Sequence, residues 1–299
     1  MNTFRDSLLN TVKFFSSVEG LNATSVPGVY CLKISHPHDF MRSRWRACLA
    51  LIAQGRKEIV LERDVYRCDE KHYTATLVDL PVVSRVASAS PQKPFLAMLI
   101  DLDPMILSET AAQPSEDNHG ESGQSLRAVF IGETRDEMLE GAFRLGKLFH
   151  TPEDARVLGP LVVREMIYHL LKGSDGNAIR RFVRSGSKTH IISQCIYGLQ
   201  SELTHDVDVP ALAKAARMSR SAFFKHFKEV TAMSPIQYQK RLRLLEARRL
   251  MVDGGETAEA SAFKVGYKSA SHFSREYSRM FGDSPLRDAA KVRSTVIRS

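Results

Sequence analysis

Residues 212–235 read LAKAARMSRSAFFKHFKEVTAMSP, and residues 262–285 read AFKVGYKSASHFSREYSRMFGDSP. The two stretches align fifty residues apart, with Ser219 opposite Ser269 and Ser234-Pro235 opposite Ser284-Pro285. A sequence that matches itself at a fixed spacing is typical of a duplicated structural unit. We therefore predict that the C-terminal part of the chain contains two copies of one small helical unit.

Each copy has the pattern of a helix-turn-helix. Phe223 and Phe227 are four residues apart, so on a helix they share one face, which we expect to be buried. Phe273 and Tyr277 repeat this spacing in the second copy. The alignment also places Ala216 opposite Gly266, and small residues there permit the close helix crossing that the motif needs.

Capping residues mark where the helices begin. Ser219 and Ser269 are suited to cap the second helix of each unit, and Asp208 the helix before Ser219. Ser234-Pro235 starts a connecting helix that should end at Gly254-Gly255. About 17 residues of helix would span about 25 Å. That length is near the ~34 Å between successive major grooves on one side of a DNA duplex.

The net charge is concentrated beside this repeat. Residues 190–299 contain 18 Lys+Arg and 11 Asp+Glu, so they carry +7 of the total net charge of +8. A basic domain attached to a nearly neutral one is typical of nucleic-acid binding. Charge alone fits a generally basic protein equally well, so the repeat is the stronger observation.

Other features of the sequence exclude several classes of protein. The sequence contains no run of 18 or more apolar residues, so no membrane span is predicted. Met1–Lys13 lacks the apolar core of a signal peptide. The four cysteines form no C-x-x-C pair, which favours reduced thiols in a cytoplasmic protein over a disulfide or zinc framework.

The N-terminal part predicts a small β-barrel followed by helices. Short β-like runs separated by turn signals lie between about 20 and 110, at residues 28–34, 47–53, 57–61, 73–78 and 95–100. Residues 113–123 have the polar composition of a loop, and residues 184–188 that of a linker. Helical periodicity covers about 133–183, with Pro152 and Pro160 expected near helix starts.

The apolar stripe from Met138 to Leu171, which includes Leu158 and Leu161, has two interpretations. It packs on the barrel, or it pairs with a second chain. Because twofold-symmetric operators favour dimeric proteins, we expect a homodimer.

The outward positions of the two recognition helices are the candidate DNA contacts. Serine hydroxyls and basic side chains on an exposed helix face reach base edges and phosphates. The predicted base-contacting residues are Ser221, Phe224, Lys225, Ser271, His272 and Arg275, and the predicted phosphate-contacting residues are Arg220, Lys228, Lys268 and Arg279. Phe224 has a second interpretation, which is partial burial against the neighbouring helix.

The barrel region offers polar and aromatic candidates for a small-molecule pocket. These are Arg44, Trp45, Arg46, Gln54, Tyr66 and Tyr73, for each of which an ordinary core or surface position is the alternative.

A metal or catalytic centre is not predicted. His36, His38 and Asp39, with His72 beyond, lack the ligand spacing of metal-binding cupins, so we interpret the histidines as surface residues. No G-x-S-x-G, H-E-x-x-H or Walker-type motif occurs, and Cys48 is interpreted as a core residue. We predict no catalytic residue, metal or cofactor.

The residues now support a resemblance to a known family. The string from Ala262 to Pro285 resembles the signature of AraC-type transcription regulators. Residues 54–57, 79–82, 94–103 and 160–171 resemble the N-terminal region of the same family. The resemblance implies a bacterial regulator with a cupin-like barrel that senses a small molecule and flanking helices that dimerise. One departure is Ala289, where the family often has part of a Tyr-Arg pair, and it puts a terminal contact in question.

The predicted fold is α+β, with an N-terminal cupin-like β-barrel, flanking helices, and a C-terminal all-α domain of two helix-turn-helix units joined by a long helix. Residues 1–185 are the predicted effector-sensing and dimerisation domain, and residues 190–299 the DNA-binding domain. The predicted function is sequence-specific transcription regulation on double-stranded DNA, with RNA polymerase and a small-molecule effector as candidate partners. The alternatives are a small-molecule-binding or enzymatic cupin with incidental DNA binding, and a nonspecific architectural DNA binder.

Overall fold

The computed structural model describes residues 3–61, 64–113 and 127–297, so nearly all of the predicted loop 113–123 lies outside the described residues. The N-terminal half begins with a helix, α1 (Thr3–Phe15), and is otherwise rich in strands up to residue 101. The strands are β1 (Gly20–Ala23), β2 (Val29–Ile34), β3 (Met41–Trp45), β4 (Cys48–Gln54), β5 (Arg56–Leu61), β6 (Asp64–Cys68), β7 (His72–Thr76), β8 (Leu80–Ser88), β9 (Phe95–Asp101) and β10 (Val129–Glu133).

These strands form two antiparallel sheets that share one hydrophobic core. One sheet has the order β1-β2-β9-β4-β7-β10, and the other has the order β3-β8-β5-β6. The central strands β4 and β9 also contact α1, whose Leu8 and Val12 are buried. Strands that are covered on both sides are apolar along their length. For this reason β4 and β9 could be predicted from continuous apolar runs in the sequence. Strand β10 extends the sheet beyond the predicted end of the barrel near residue 110.

Four helices follow the barrel or lie between its last strands. They are α2 (Pro104–Ala111), α3 (Asp136–Leu148), α4 (Pro152–Leu171) and α5 (Gly176–Val183). Helix α3 packs against both α1 and α4, so the predicted stripe on α3 is largely internal. The expectation for Pro160 was wrong, because the proline lies inside α4 rather than near a helix start. A proline removes a backbone donor, which a long, packed helix tolerates at one position.

The C-terminal part is all helical, as predicted. Its helices are α6 (Lys188–Ser201), α7 (Val209–Ala215), α8 (Arg220–Thr231), α9 (Pro235–Val252), α10 (Ala258–Lys264), α11 (Ala270–Phe281) and α12 (Pro285–Ile297). Helices α7 and α8 form one helix-turn-helix unit, α10 and α11 form the other, and α9 joins them. Residues 184–187, within the predicted linker, separate α5 from α6. In the described residues we find no helix that is both long and apolar enough to span a membrane.

Candidate nucleic-acid interface

The first recognition helix is α8, and its two faces are chemically distinct. Ser219 caps it, because its hydroxyl accepts a hydrogen bond from the backbone N–H of Ala222 at 3.3 Å. Phe223 and Phe227 are fully buried, which turns the opposite face outward. The exposed positions on α8 include Ser221, Lys225 and Lys228, three of the predicted DNA contacts, and Arg220 is exposed at its start.

The second recognition helix, α11, repeats this arrangement. The Ser269 hydroxyl accepts from the backbone N–H of His272 at 3.3 Å, and Phe273 and Tyr277 are fully buried. Ser271 and Arg275 are exposed, as are their counterparts Ser221 and Lys225 on α8, and the predicted contacts Lys268, His272 and Arg279 are exposed as well. Each unit therefore presents a polar and basic helix face that begins at a serine cap.

The turns of the two units differ in length by one residue. Helix α10 begins 49 residues after α7, whereas α11 begins 50 residues after α8. Arg217 and Gly266 have positive φ, at 53° and 90°. In each unit the N–H of the next residue bonds back to the first helix, Met218 to Ala213 and Tyr267 to Ala262. The counterpart of Gly266 is therefore Arg217, and its predicted alignment with Ala216 was wrong.

Ion pairing separates structural cations from free ones. On α9, Arg243 pairs with Asp206 at 2.9 Å and Arg248 pairs with Asp288 at 2.7 Å. By contrast, within the described part of the chain no carboxylate lies at ion-pair distance from the predicted DNA-contacting cations Arg220, Lys225, Lys228, Lys268, Arg275 and Arg279. These exposed side chains keep their full charge available for phosphates or base edges.

Two predicted base-contacting residues are partly engaged within the protein. Phe224 is half-buried against the core, with the Arg220 guanidinium 5.9 Å from its ring centroid. His272 is exposed, but its Nε2 lies 3.4 Å from a carboxylate oxygen of Glu276. Burial acts to raise the pKa of Glu276, but hydrogen bonds from Lys240 and Tyr267 outweigh it and lower the pKa. Glu276 therefore ties α11 to α9 and sits beside His272 as an anion.

The barrel holds the C-terminal ends of both recognition helices. The backbone N–H of Ala128 donates to the carbonyl of Val230 in α8 at 3.2 Å. The Arg42 guanidinium in β3 donates to the carbonyl of Met280 in α11 at 2.7 Å. A cation at that position also interacts favourably with the helix dipole. Sequence reasoning missed these residues, because each partner lies more than a hundred residues away along the chain.

Three of the six predicted pocket residues lie together in the barrel. Arg44, Trp45 and Arg46 line a cavity of about 210 Å³ that is otherwise largely apolar. Arg44 is held in place by the Asp79 carboxylate at 2.8 Å. The same cavity contains Lys57, which sequence reasoning did not single out. The alternation of β5 gave a signal for it, since Lys57 shares a strand face with the fully buried Ile59.

The other three predicted pocket residues lie elsewhere. The Gln54 side chain donates to the carbonyl of Pro94 at 2.7 Å. Tyr66 lines a separate surface cleft, and Tyr73 is buried with its hydroxyl 3.4 Å from Asp175. The structure therefore does not bring the six into one site.

The histidines considered as metal ligands are dispersed. His72 Nδ1 lies 2.8 Å from Asp69, and His38 Nδ1 lies 2.9 Å from the carbonyl of Asp39. In the residues that the structure describes, no three His, Cys, Asp or Glu side chains are grouped as a metal site.

Comparison with known sequences gives two family matches. Residues 25–178 match the family described as the AraC-type transcriptional regulator N-terminus, and residues 212–290 match a helix-turn-helix domain. The transcriptional activator RhaS of Pectobacterium carotovorum is 29% identical over 101 residues, which are 34% of this chain and 36% of that protein. RhaS of Salmonella newport is 28% identical over 107 residues, 36% of this chain and 38% of that protein. The chain thus spans little more than a third of the length of these relatives.

Solved structures share the fold over most of the chain. ToxT from Vibrio cholerae, bound to an unsaturated fatty acid, superposes with a TM-score of 0.59 at 13% identity, covering 88% of this chain and 93% of ToxT. ToxT bound to (E)-4-(8-methylnaphthalen-1-yl)but-3-enoic acid gives a TM-score of 0.55 at 11% identity, covering 88% of this chain and 97% of that one. At these identities the likeness shows the fold, a β-rich N-terminal domain joined to a helical one.

Proposed function

The chain belongs to the AraC-type transcriptional regulators, since that family's N-terminal region matches just over half of it, and we propose that it binds specific DNA sequences through α8 and α11 in successive major grooves. The observation that carries this proposal is the pair of matched, serine-capped helices whose exposed cations have no carboxylate at ion-pair distance among the described residues. Nonspecific binding to DNA needs only positive charge. Two equivalent helix faces at a fixed separation are suited to recognising base sequence in two major grooves.

The separation of the two helices supports the same proposal. Helix α9 has 18 residues, and its capping box at Ser234 and Gln237 fixes its start. A helix of this length spans about 27 Å. Both recognition helices are anchored to α9, α11 through the Glu276–Lys240 pair and α8 through the Phe227–Tyr238 ring contact at 5.6 Å. In this proposal α9 holds the two helix-turn-helix units in a fixed arrangement, so they bind DNA as one rigid body rather than as two flexibly linked units.

We assign different roles to the exposed residues of each recognition helix. Ser221, Lys225, Ser271 and Arg275 would contact base edges. Phe224 and His272 would contribute at the margin of those contacts, since each is partly engaged internally. The cations that we assign to phosphates are Arg220, Lys228, Lys268 and Arg279.

We also propose that residues 1–185 sense a small molecule and dimerise, while residues 190–299 bind DNA. ToxT, which shares this fold, has been solved with small molecules bound. The exposed apolar residues Val157, Leu158 and Leu161 of α4 support pairing with a second copy of the chain. In this proposal the protein works in the cytoplasm, with RNA polymerase as a partner at the promoter, and has no enzymatic role.

Selection of bound sequences from a random duplex library tests the DNA-binding proposal. The full-length protein should recover a motif with two short conserved blocks about one helical turn apart. Lys225→Ala should erase base preference in one block, and Arg275→Ala in the other, each at a cost of about 1–3 kcal/mol.

Arg249→Ala provides the matched control, because Arg249 is exposed but already paired with Glu246 on α9. It should recover the wild-type motif. Recovery of no motif by the wild type, or loss of the same block in both variants, would overturn the assignment.

A further inference from the structure

The barrel cavity contains a cation that the protein leaves without an anion. The Lys57 ammonium lies 4.4 Å from the ring centroid of Trp45 and 6.0 Å from that of Phe95. In the described residues no carboxylate lies at ion-pair distance from it. Aromatic faces attract an ammonium group, but they leave its hydrogen-bond donors unused.

The surrounding groups do not neutralise Lys57. Burial lowers its pKa to about 8, and the nearby thiols of Cys48 and Cys68 only partly oppose that shift. Burial also raises the pKa of Cys48 to about 12 and that of Cys68 to about 11, so both thiols are neutral at pH 7. At that pH most Lys57 side chains are therefore still protonated, beside groups that carry no negative charge.

The acidic groups near the cavity are already paired with arginines. Asp101 lies 3.5 Å from Arg46, and Asp79 lies 2.8 Å from Arg44. Burial raises the pKa of Asp101, and the positive charge of Arg46 partly opposes this shift. Asp101 therefore lies at the cavity margin and is paired with Arg46. Arg44 and Arg46 thus have carboxylate partners, whereas Lys57 has none among the described residues.

Apart from Thr74, the rest of the lining is apolar. Leu32, Ile52, Ala97 and Leu99 contribute, together with the Trp45 and Phe95 rings. The cavity volume is about 210 Å³. A dry cavity of about 150 Å³ lined by such side chains binds benzene. The space therefore suits one ring, or a short chain, with a small headgroup.

We infer that this cavity binds a small apolar monocarboxylate, with the carboxylate on the Lys57 ammonium and the apolar body between Trp45 and the aliphatic wall. This inference rests on the proposed sensing role of the barrel and adds the chemical class of the ligand and its anchor. An anion would supply the hydrogen-bond acceptors that the protein does not provide. A neutral molecule of the same shape would fill the apolar space but leave the ammonium without a partner.

Trp45 allows a direct test, because it is the single tryptophan of the 299 residues. The purified full-length protein is titrated at pH 7 with benzoate and hexanoate, and with their neutral counterparts benzyl alcohol and hexanol, while Trp45 fluorescence is recorded. We expect at least one carboxylate to bind at least tenfold more tightly than its alcohol. Equal affinities, or no response to either carboxylate, would overturn the inference.

Substitution of the anchor separates charge from shape. Lys57→Met keeps the apolar stem, so it should remove the preference for the carboxylate while alcohol binding is retained. Lys57→Arg keeps the charge and should retain the preference, as should Lys93→Met, which changes an exposed lysine outside the cavity. An undiminished carboxylate preference in Lys57→Met would contradict the assigned anchor.

The pH dependence gives a second readout that needs no variant. Carboxylate affinity should fall as pH rises above about 8, because Lys57 then loses its proton while the ligand stays ionised. Alcohol affinity should stay constant over the same range. Failure of these titrations would leave the DNA selection unaffected, since that experiment contains no ligand, so the two proposals fail independently.

Discussion

At the scale of single residues, one backbone position distinguishes the two turns. Gly266 has a φ of 90°, and a Cβ on it would lie 2.4 Å from the carbonyl oxygen of Thr204. Arg217 holds the equivalent left-handed position but is exposed. A side chain there costs about 1–2 kcal/mol in backbone conformation, but it is exposed to solvent. Alignment at constant spacing could not predict this equivalence, because the two residues share a conformation rather than a chemistry.

Gly266→Ala should destabilise the protein by about 3 kcal/mol, since it adds a clash with backbone to an unfavourable φ. Arg217→Gly should stay within about 1 kcal/mol of wild type, because relief of the left-handed strain is offset by greater freedom of the unfolded chain. Urea unfolding of the two variants measures both effects. Equal stabilities for the two would show that the positions are not distinguished by packing.

The free cations of the recognition helices make a separate prediction. Lys228→Ala should weaken binding to all DNA sequences alike and reduce the slope of log affinity against log salt concentration by about 1. Fluorescence anisotropy across a range of salt concentrations measures the slope. Arg249→Ala, which removes a cation already paired with Glu246, should leave it unchanged. A loss confined to one sequence would instead make Lys228 a base-contacting residue.

At the scale of elements, the two units use different chemistry at one junction. In the first, Phe227 and Tyr238 meet edge-to-face at 5.6 Å. Fifty residues on, Tyr277 donates its hydroxyl to Asp288 at 2.7 Å. Asp288 also accepts two hydrogen bonds from Arg248, at 2.7 and 2.9 Å. An aromatic pair is thus replaced by a buried polar network, just before Ala289, where the sequence departs from the family pattern.

Asp288→Asn should cost about 3 kcal/mol, because it leaves the nearly buried Arg248 without its counter-charge. Tyr277→Phe should cost about 1 kcal/mol, since it removes one hydrogen bond and keeps the ring. The double variant should lose less than the sum, because the two residues share one network. Chemical unfolding of the three proteins measures these differences, and strict additivity would contradict the network.

Burial decides which elements could be predicted from the sequence. The runs at β2, β4, β5, β7 and β9 stood out, and so did the caps of α8, α9 and α11. Strand β3 (MRSRW) is half-exposed at every position and has no apolar alternation. In helix α4, Leu158 and Leu161 follow the same helical spacing as the buried apolar residues, yet both are exposed. Their side chains fit the pattern, but nothing in the described chain covers them.

At the scale of the whole molecule, the barrel and the DNA-binding helices contact each other through several specific bonds. The Tyr238 hydroxyl donates to the carbonyl of Asp79 at 2.6 Å and accepts from the Gln200 side chain at 2.9 Å. The Tyr197 hydroxyl donates to the carbonyl of Leu77 at 3.2 Å. The two domains were visible in the sequence, but their mutual orientation was not, because no local pattern encodes contacts between distant polar groups.

Tyr238→Phe should lower the free energy of unfolding by about 2 kcal/mol, because it removes two hydrogen bonds and leaves the Asp79 carbonyl and the Gln200 amide only their long bond to each other, at 3.5 Å. Tyr168→Phe serves as the control, since Tyr168 is exposed and should change stability by less than about 0.5 kcal/mol. Denaturant titrations of both variants give the comparison. An unaltered stability in Tyr238→Phe would mean that this junction adds nothing to the fold.

The central claim is that α8 and α11 are held in a fixed arrangement and bind two successive major grooves. The spacing between the two selected DNA blocks tests this claim most directly. Affinity should be measured for the selected site and for versions with 5 or 10 base pairs inserted between the blocks read by one protomer. We predict a loss of at least about 100-fold for both insertions, because α9 spans only about 27 Å and cannot follow the displaced block. Recovery of affinity with 10 base pairs would contradict the account, since it would mean that the two units move independently.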